Sequence, residues 1–406
     1  MPDQEAALLL TDRRDLRCPF SPAAELSAAR DTADDLPTVQ VVAGPDFRSE
    51  ALAITRYADA RQVLGDQRFR VGVAFDPDQP RPLASQLSFL LNQPGFLLNY
   101  NGPEHARLRR MLTGAFSVKR VQQLGPQIEQ IVAGQLDELA EAGPVADLVA
   151  DFAIAVPSQV ICALLGVPYA ERAEFQKRTE NILEGRGSTP QAADAVTDFH
   201  AYVAGIVAAR RADPGESLLG SLVREHGHEL SDDELIGMSI LLLVAGHETT
   251  SNMIALGTLA LLQEPEQLAL VRDDDGVTDT GVEELLRLLS IASPVPRDAV
   301  EDVTVGEHRV KAGQRVVVSI LAANSDPNLI GDASALDVRR KPVPHMTFGY
   351  GVHQCLGQQL ARLELRIALP ALLRRFPGLR LAVPETDLRF RVNSPVYALR
   401  ALPITW

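Results

Sequence analysis

The sequence has few cysteines, no long apolar run and no excess of positive charge, and each absence excludes a class of protein. The three cysteines, Cys18, Cys162 and Cys355, lie far apart among 406 residues, so they indicate no disulfide framework. No segment reaches the roughly 18 consecutive apolar residues that a membrane span needs. The formal net charge of -14 argues against general nucleic-acid binding, although it leaves room for a local basic face.

What is present is the composition of an ordinary soluble globular protein. The apolar stretch at residues 6–10 is too short for the core of a signal peptide, so we expect a cytoplasmic protein. The sequence contains no repeat, no low-complexity linker and no second region of distinct composition. We therefore expect a single domain over residues 1–406, with residues 1–20 loosely ordered.

The segment most informative about function is 348–357, FGYGVHQCLG, which an amphipathic run to Phe376 follows. Its glycines favour a tight loop that leads into a helix, with Cys355 at the helix N-terminus, where backbone N–H groups stabilise a thiolate. A free cysteine is often a small buried apolar side chain, but a lone thiolate here also suits a single axial ligand of haem iron. Gly357 would let a flat group lie close, and Phe348 would cover the sulfur.

A second unusual segment, AGHETT at residues 245–250, lies inside a long apolar run. The run follows a capping box at Ser231–Glu234, so we predict one helix of roughly 50 Å. A glycine, a charge and two hydroxyls are unfavourable inside a buried helix and therefore indicate a function. Gly246 would let a ligand or cofactor approach, Thr249 would divert a backbone hydrogen bond and open the helix locally, and Glu248 would relay protons.

Two pairs of ionisable residues share helix faces. His105 and Arg109 are four residues apart in a predicted helix that begins at Pro103, and two donors on one face suit a carboxylate or a haem propionate. Glu284 and Arg287 are three residues apart in an E-x-x-R pattern. This second pattern is weak by itself, because ion pairs with that spacing are common on protein surfaces.

Together these motifs resemble the cytochrome P-450 family over nearly the whole chain. The pattern F-G-x-G-x-H-x-C-x-G resembles its haem-binding loop, and A-G-H-E-T-T resembles its oxygen-activating motif. The E-x-x-R pattern stands about 70 residues before the cysteine, as it does in the family. The resemblance is greatest to soluble actinobacterial members, including those that hydroxylate secondary metabolites and steroid-like compounds.

The resemblance implies a role for each motif residue. Cys355 would be the metal ligand, binding the iron of haem b, with O2 as co-substrate. Thr249 and Glu248 would be catalytic, and Glu284 and Arg287 would form a structural ion pair. Propionate binding would fall to His105, Arg109, Arg297 and His345. The other residues expected at the haem are Phe348, Gly349, Gly357, Ala245 and Gly246.

The implied fold is mainly α-helical with small β-sheets, and the haem lies between the long central helix and the Cys355 helix. Apolar runs at 36–42 and 51–55 predict a β-hairpin within it. The implied activity is that of a monooxygenase, which hydroxylates or epoxidises a lipophilic small molecule in secondary metabolism or xenobiotic conversion. Two alternatives stay open: an oxidase of the same family that couples or desaturates, and a haem gas sensor or carrier. The Glu248–Thr249 relay argues against the carrier.

No flavin or iron–sulfur motif is present, so the resemblance implies electron supply by a ferredoxin and an NAD(P)H-dependent ferredoxin reductase. We expect a monomer with no nucleic-acid partner and no membrane span. The residues expected to line an apolar substrate pocket are Leu87, Phe89, Leu90, Leu243, Ile291, Val295 and Val396. The basic residues expected to form a ferredoxin-docking face are Arg107, Arg110, Lys119, Arg120, Arg339, Arg340, Lys341 and Arg362.

Overall fold

Helices make up most of the described structure. The computed structural model describes residues 14–15, 18–31, 36–42, 48–72, 93–167, 171, 174–175, 177–178, 190–391 and 396–406. The predicted pocket residues Leu87, Phe89 and Leu90 lie outside these ranges. The helices are α1 (Ala24–Asp31), α2 (Tyr57–Gly65), α3 (Gly102–Thr113), α4 (Val118–Gln123), α5 (Gly125–Ala142), α6 (Ala155–Leu165), α7 (Pro190–Ala212), α8 (Leu218–His226), α9 (Asp232–Gln263), α10 (Pro265–Asp273), α11 (Thr278–Leu289), α12 (Ile320–Asn324), α13 (Pro327–Ile330) and α14 (Gln358–Arg375).

The long helix α9 is the centre of the helical core. It begins at the predicted capping box, in which the Glu234 N–H donates to the Ser231 hydroxyl at 3.1 Å and the Ser231 N–H donates to the Glu234 carboxylate at 2.9 Å. Its 32 residues span roughly 48 Å. Buried residues occur all around it, because α6, α7, α11 and α14 pack against its sides. None of the described helices is long and apolar enough to cross a bilayer.

The cysteine helix α14 packs directly against α9. Gly257 of α9 makes this contact close, since a Cβ there would lie 3.6 Å from Leu285 of α11 and 3.7 Å from Leu369 of α14. These distances are ordinary van der Waals contacts, so the three helices meet at one point of the hydrophobic core. The two helices that carry the informative motifs are therefore held together by packing.

Small sheets flank the helices. The strands are β1 (Arg14–Asp15), β2 (Cys18–Pro22), β3 (Thr38–Val42), β4 (Arg48–Ile54), β5 (Phe69–Arg70), β6 (Val145–Asp147), β7 (Val295–Ala299), β8 (Val303–Val305), β9 (His308–Val310), β10 (Arg315–Val318), β11 (Arg380–Leu381), β12 (Phe390–Arg391), β13 (Ala398–Leu399) and β14 (Pro403–Thr405). The largest sheet has the order β3-β4-β10-β7-β5, and its antiparallel β3–β4 pair confirms the predicted hairpin. Strand β7 pairs with β10 and places Arg297 opposite Val316.

Glu284 and Arg287 form the ion pair that their spacing predicts. Arg287 is fully buried and donates twice to the Glu284 carboxylate, each time at 2.8 Å. It also donates to the Asn324 carbonyl at 3.3 Å and so ties α11 to α12. Arg340 completes the group with its Nε 3.1 Å from Glu284. The prediction that Arg340 belongs to an outward docking face is therefore wrong, because its charge is used inside this network.

Candidate active site

The loop before α14 holds Cys355 at the N-terminus of that helix. The Cys355 N–H donates to the Phe348 carbonyl at 2.8 Å, which closes the loop. Gly349 and Gly351 have φ values of 72° and 74°, a left-handed region that favours glycine. A Cβ on Gly351 would lie 2.4 Å from the Leu64 carbonyl oxygen, so only glycine fits against α2 here. The turn predicted from the sequence is thus observed.

Cys355 is accessible although it lies deep in the protein. Its side chain is exposed, yet desolvation raises the pKa of the thiol. Hydrogen bonds from the N–H groups of Gly357 and Gln358, and the positive charges of Arg109 and Arg362, act in the opposite direction and favour the thiolate. A side chain that is both accessible and desolvated lies in a recess rather than on a convex surface. Coordination to a metal ion in that recess would deprotonate the thiol.

The middle of α9 presents accessible surface within an otherwise buried helix. Ala245 is exposed and Thr249, one turn later, is half-buried, so they share an accessible face. The Thr249 hydroxyl donates to the Ala245 carbonyl at 2.7 Å, which leaves its lone pairs able to accept a hydrogen bond. Helix α9 continues without a break through these residues, so the predicted local opening is not seen.

The acidic residue of this motif is held by a partner that the sequence does not reveal. Glu248 is buried, and its carboxylate lies 3.5 Å from the guanidinium of Arg391 at the end of β12. The neighbouring His247 is also buried, and neither ring nitrogen has a hydrogen-bond partner in the described part of the chain. Burial, helped by the charge of Arg391, lowers the pKa of His247 to about 4, so this imidazole is neutral at neutral pH.

Gly246 serves helix packing rather than the approach of a flat group. A Cβ at this position would lie 2.6 Å from Cδ1 of Ile161, because α6 crosses α9 there. The prediction that its missing side chain makes room for a cofactor is wrong, since α6 occupies that direction. Gly357 has open space around it: apart from its chain neighbours, no described atom lies within 4 Å of the position its Cβ would take.

Basic side chains from α3, β7 and the cysteine loop converge beside the recess. The rings of His105 and His353 have centroids 4.2 Å apart, and Arg109 donates to a backbone carbonyl of the same loop at 2.5 Å. Desolvation, together with the charges of His105, Arg297 and Arg109, lowers the pKa of His353 to about 3. Burial lowers the pKa of Arg297 to about 10, so this guanidinium stays charged at neutral pH.

The structure replaces one predicted member of this basic cluster. His345 does not lie with the other three predicted residues, because its Nε2 atom is 3.0 Å from the carboxylate of Glu283. His353, which is not among the predicted propionate-binding residues, lies beside His105 instead. Its position two residues before Cys355 within the cysteine motif was the signal that could have identified it.

The basic cluster fits an anionic group. His105 and Arg297 are buried and Arg109 is half-buried, and none of the four forms an ion pair with a carboxylate among the described residues. The positive charge of the cluster resides on Arg109 and Arg297, because burial lowers the pKa of both histidines. Buried guanidinium groups without a salt-bridge partner are costly, and carboxylates would supply one through charge-assisted hydrogen bonds. With the Cys355 sulfur in the adjoining recess, the donor set fits a haem and its two propionates.

The predicted pocket residues differ in how much surface they offer. Leu243 is completely buried in the core of α9, so its predicted contact with a ligand is wrong. Ile291 is 3% exposed and Val396 is 9% exposed, whereas Val295 is half-buried and has more surface available. The Tyr397 N–H donates to the Ile291 carbonyl at 2.9 Å, which holds Val396 and Tyr397 next to Ile291.

Half of the predicted docking residues are occupied by ion pairs. Arg107 pairs with Glu104 and Glu234, Arg120 with Glu225, Arg340 with Glu284, and Arg362 with Glu283. The other four are exposed and form no salt bridge with a described residue; they are Arg110, Lys119, Arg339 and Lys341. A docking surface that relies on free charge would therefore be smaller than the sequence predicts.

Comparison with known proteins agrees with this geometry. The family model Cytochrome P450 matches residues 276–404. Cytochrome P450 165B3 of Amycolatopsis orientalis is 41% identical over 95% of this chain and 96% of its own. Vitamin D3 dihydroxylase of Streptomyces griseolus is 40% identical over 96% of this chain and 95% of its own. The structure of P450 StaH from glycopeptide antibiotic A47934 biosynthesis is 42% identical with a TM-score of 0.87, and the match covers 98% of this chain and 100% of that chain.

These matches cover more than the cysteine loop. The region matched by the family model includes α11, with its buried Glu284–Arg287 pair, and the loop and helix that carry Cys355. The full-length relatives extend the similarity over α3 and α9 at about 40% identity. The chain therefore belongs to the cytochrome P450 family.

Proposed function

We propose that the protein is a haem-thiolate monooxygenase that inserts one oxygen atom from O2 into a lipophilic small molecule. The observation that carries this proposal is the accessible Cys355 in a recess at a helix N-terminus, beside a basic cluster that forms no salt bridge within the described residues. One relative is named as a dihydroxylase of vitamin D3, and a similar structure is titled for glycopeptide antibiotic biosynthesis. Both names support secondary metabolism or xenobiotic conversion as the setting.

Haem b is the cofactor that the site would hold. The sulfur of Cys355 would bind its iron, and the propionates would lie against His105, His353, Arg109 and Arg297. Once bound, the haem would supply the oxygen chemistry, and the Cys355 thiolate would donate electron density to it. The protein sets the geometry: Gly357 leaves space next to the sulfur, and Ala245 and Thr249 present the accessible face of α9.

Proton delivery is the role we propose for Thr249 and Glu248. The Thr249 hydroxyl donates its hydrogen bond to the Ala245 carbonyl, so its oxygen can accept a hydrogen bond from a water molecule. Glu248, one residue away, is a buried carboxylate held by Arg391. Because the Arg391 side chain is partly exposed, Glu248 can pass protons from solvent toward Thr249. Neither residue is proposed to bind the substrate.

The basic cluster predicts a contrast between two histidines in haem retention. Removing a donor to a buried propionate should cost on the order of 1–3 kcal/mol, so His353→Ala and Arg297→Ala should purify with less haem. His345→Ala should keep its haem occupancy, because that ring binds Glu283 instead. Haem content by pyridine haemochrome, measured beside the thermal unfolding midpoint, tests this. Loss of haem in the His345 variant but not in the His353 variant would contradict the assignment.

Labelled oxygen tests the reaction itself. A screen of lipophilic compounds by spectral shift would supply a substrate, and turnover under 18O2 with a surrogate ferredoxin system should give product carrying one 18O atom. Thr249→Ala should bind that substrate equally well and still consume NADH, but yield about tenfold less labelled product per NADH and more hydrogen peroxide, because the hydroxyl that would hold the proton-delivering water is lost.

The alternatives give different results in the same experiment. A coupling or desaturating oxidase would form product without label, and a gas carrier or sensor would consume no NADH upon substrate addition. Unchanged coupling in Thr249→Ala would contradict the proposed proton route while leaving oxygen insertion intact. Spectral binding of the same substrate to the Thr249 variant is the control for a damaged pocket.

We also propose that a small acidic ferredoxin, reduced by an NAD(P)H-dependent reductase in the cytoplasm, docks on the cysteine side of the monomer. The four exposed basic residues that form no salt bridge within the described ranges support this, since a local basic patch acts within about one Debye length, roughly 8–10 Å at moderate salt, even on an acidic protein. Exposed apolar residues accompany them: Val118, 52% exposed, precedes Lys119, and Val352, 49% exposed, lies in the cysteine loop.

Charge reversal tests this docking surface. The double variant Arg110→Glu and Lys119→Glu should slow ferredoxin-supported turnover severalfold and leave peroxide-driven turnover unchanged, because steering acts on association. Arg309→Glu, at an exposed site on β9, is the matched control and should change neither rate. The wild-type rate should also fall as salt is raised. Equal losses in both assays would show damage to the site and contradict a docking role.

A further inference from the structure

Arg362 lies on the first turns of α14 after Cys355, and the structure gives it a position unlike that of a surface charge. Its side chain is only 15% exposed. The guanidinium donates to both oxygens of Glu283 at 2.6 and 3.0 Å, and to the Gln358 side-chain oxygen at 3.0 Å. This bidentate geometry fixes the plane of the guanidinium.

The partner carboxylate is fixed as firmly. Glu283 also accepts a hydrogen bond from His345 at 3.0 Å, and Arg366 stands 3.8 Å away. Desolvation alone would raise the pKa of Glu283, but hydrogen bonds from His345 and Arg362 outweigh it and lower that pKa to about 2. Glu283 therefore stays negative at every ordinary pH, and Arg362 has one fixed counter-ion on one side.

The other side of the guanidinium faces the cysteine loop. Its central carbon lies 4.5 Å from the ring centroid of Phe348, a cation–π contact. The carbonyl of the same Phe348 accepts the hydrogen bond from the Cys355 N–H at 2.8 Å. The charge of Arg362 also acts on Cys355 directly and favours its negative form. A fixed positive charge thus acts on the sulfur, and Glu283 is its counter-charge.

We propose that Arg362 is a positioning residue that raises the reduction potential of the haem iron that Cys355 would bind, and that Glu283 lowers it. The inference rests on the proposed haem-thiolate function. One-electron reduction adds a negative charge at the centre, so a fixed cation nearby stabilises the reduced state and raises the potential. Removal of Arg362 should lower the potential, whereas removal of the negative charge on Glu283 should raise it. A merely structural role gives no reason for opposite signs.

Redox titration of the haem-loaded protein measures this directly. At a fixed applied potential, Arg362→Gln should lower the ferrous-to-ferric ratio by about threefold to tenfold, and a tenfold change equals 59 mV for one electron. Arg362→Lys keeps the charge and should remain close to wild type. Arg374→Gln is the control about three turns further along α14, where the side chain pairs with Asp275 instead of Glu283, and it should shift the ratio much less.

Glu283→Gln should change the ferrous-to-ferric ratio in the opposite direction, by raising it. This variant keeps the test decisive if Arg362→Gln does not fold. An unchanged potential in both variants, or shifts of the same sign, would overturn the proposal. It would also be overturned if Arg362→Gln lost only ferredoxin binding, because Arg362 would then be a docking residue. A wild type without the thiolate carbon monoxide band contradicts the proposed function itself, whereas a normal band with unmoved potentials contradicts this inference alone.

Discussion

A loop holds the sulfur of Cys355 at the N-terminus of α14. The Cys355 N–H closes this loop by donating a hydrogen bond of 2.8 Å to the Phe348 carbonyl. This position exposes the sulfur to two backbone N–H groups while placing it deep enough to be desolvated. A negative sulfur in such surroundings needs compensation, because burial alone favours the neutral thiol. The two positive-φ glycines, the contact of Gly351 with α2 and the packing of α14 on α9 all maintain that position.

Buried charges with a structural role differ from those expected to bind a ligand in whether they have a partner within the protein. The carboxylates of Glu283, Glu284 and Glu248 each lie beside an arginine, so these acids are compensated within the protein. The cluster of His105, His353, Arg109 and Arg297 is the reverse case, since none of its members forms a salt bridge with a carboxylate among the described residues. Unlike a surface ion pair, a buried basic cluster of this kind indicates a ligand of opposite charge.

Local motifs predicted what depends on local geometry. The capping box, the length of α9, the turn before Cys355 and the Glu284–Arg287 pair all follow from spacings of a few residues within one element, and the structure confirms them. Contacts between segments that are distant in sequence are harder to predict. His345 and His353 stand eight positions apart in one loop, and only the fold decides which reaches α3 and which reaches α11. Gly246 and Leu243 were misassigned for the same reason, because α6 and the core occupy the space around them.

The central claim is that Cys355 is the iron ligand, and the carbon monoxide difference spectrum of the reduced protein tests it most directly. The wild type, Cys18→Ala and Cys162→Ala should show the red-shifted Soret band of a thiolate-ligated haem, since Cys162 is buried in α6. Cys355→Ala should lose that band. A Cys355 variant that retains it would contradict the account, as would a wild type that binds haem without showing it.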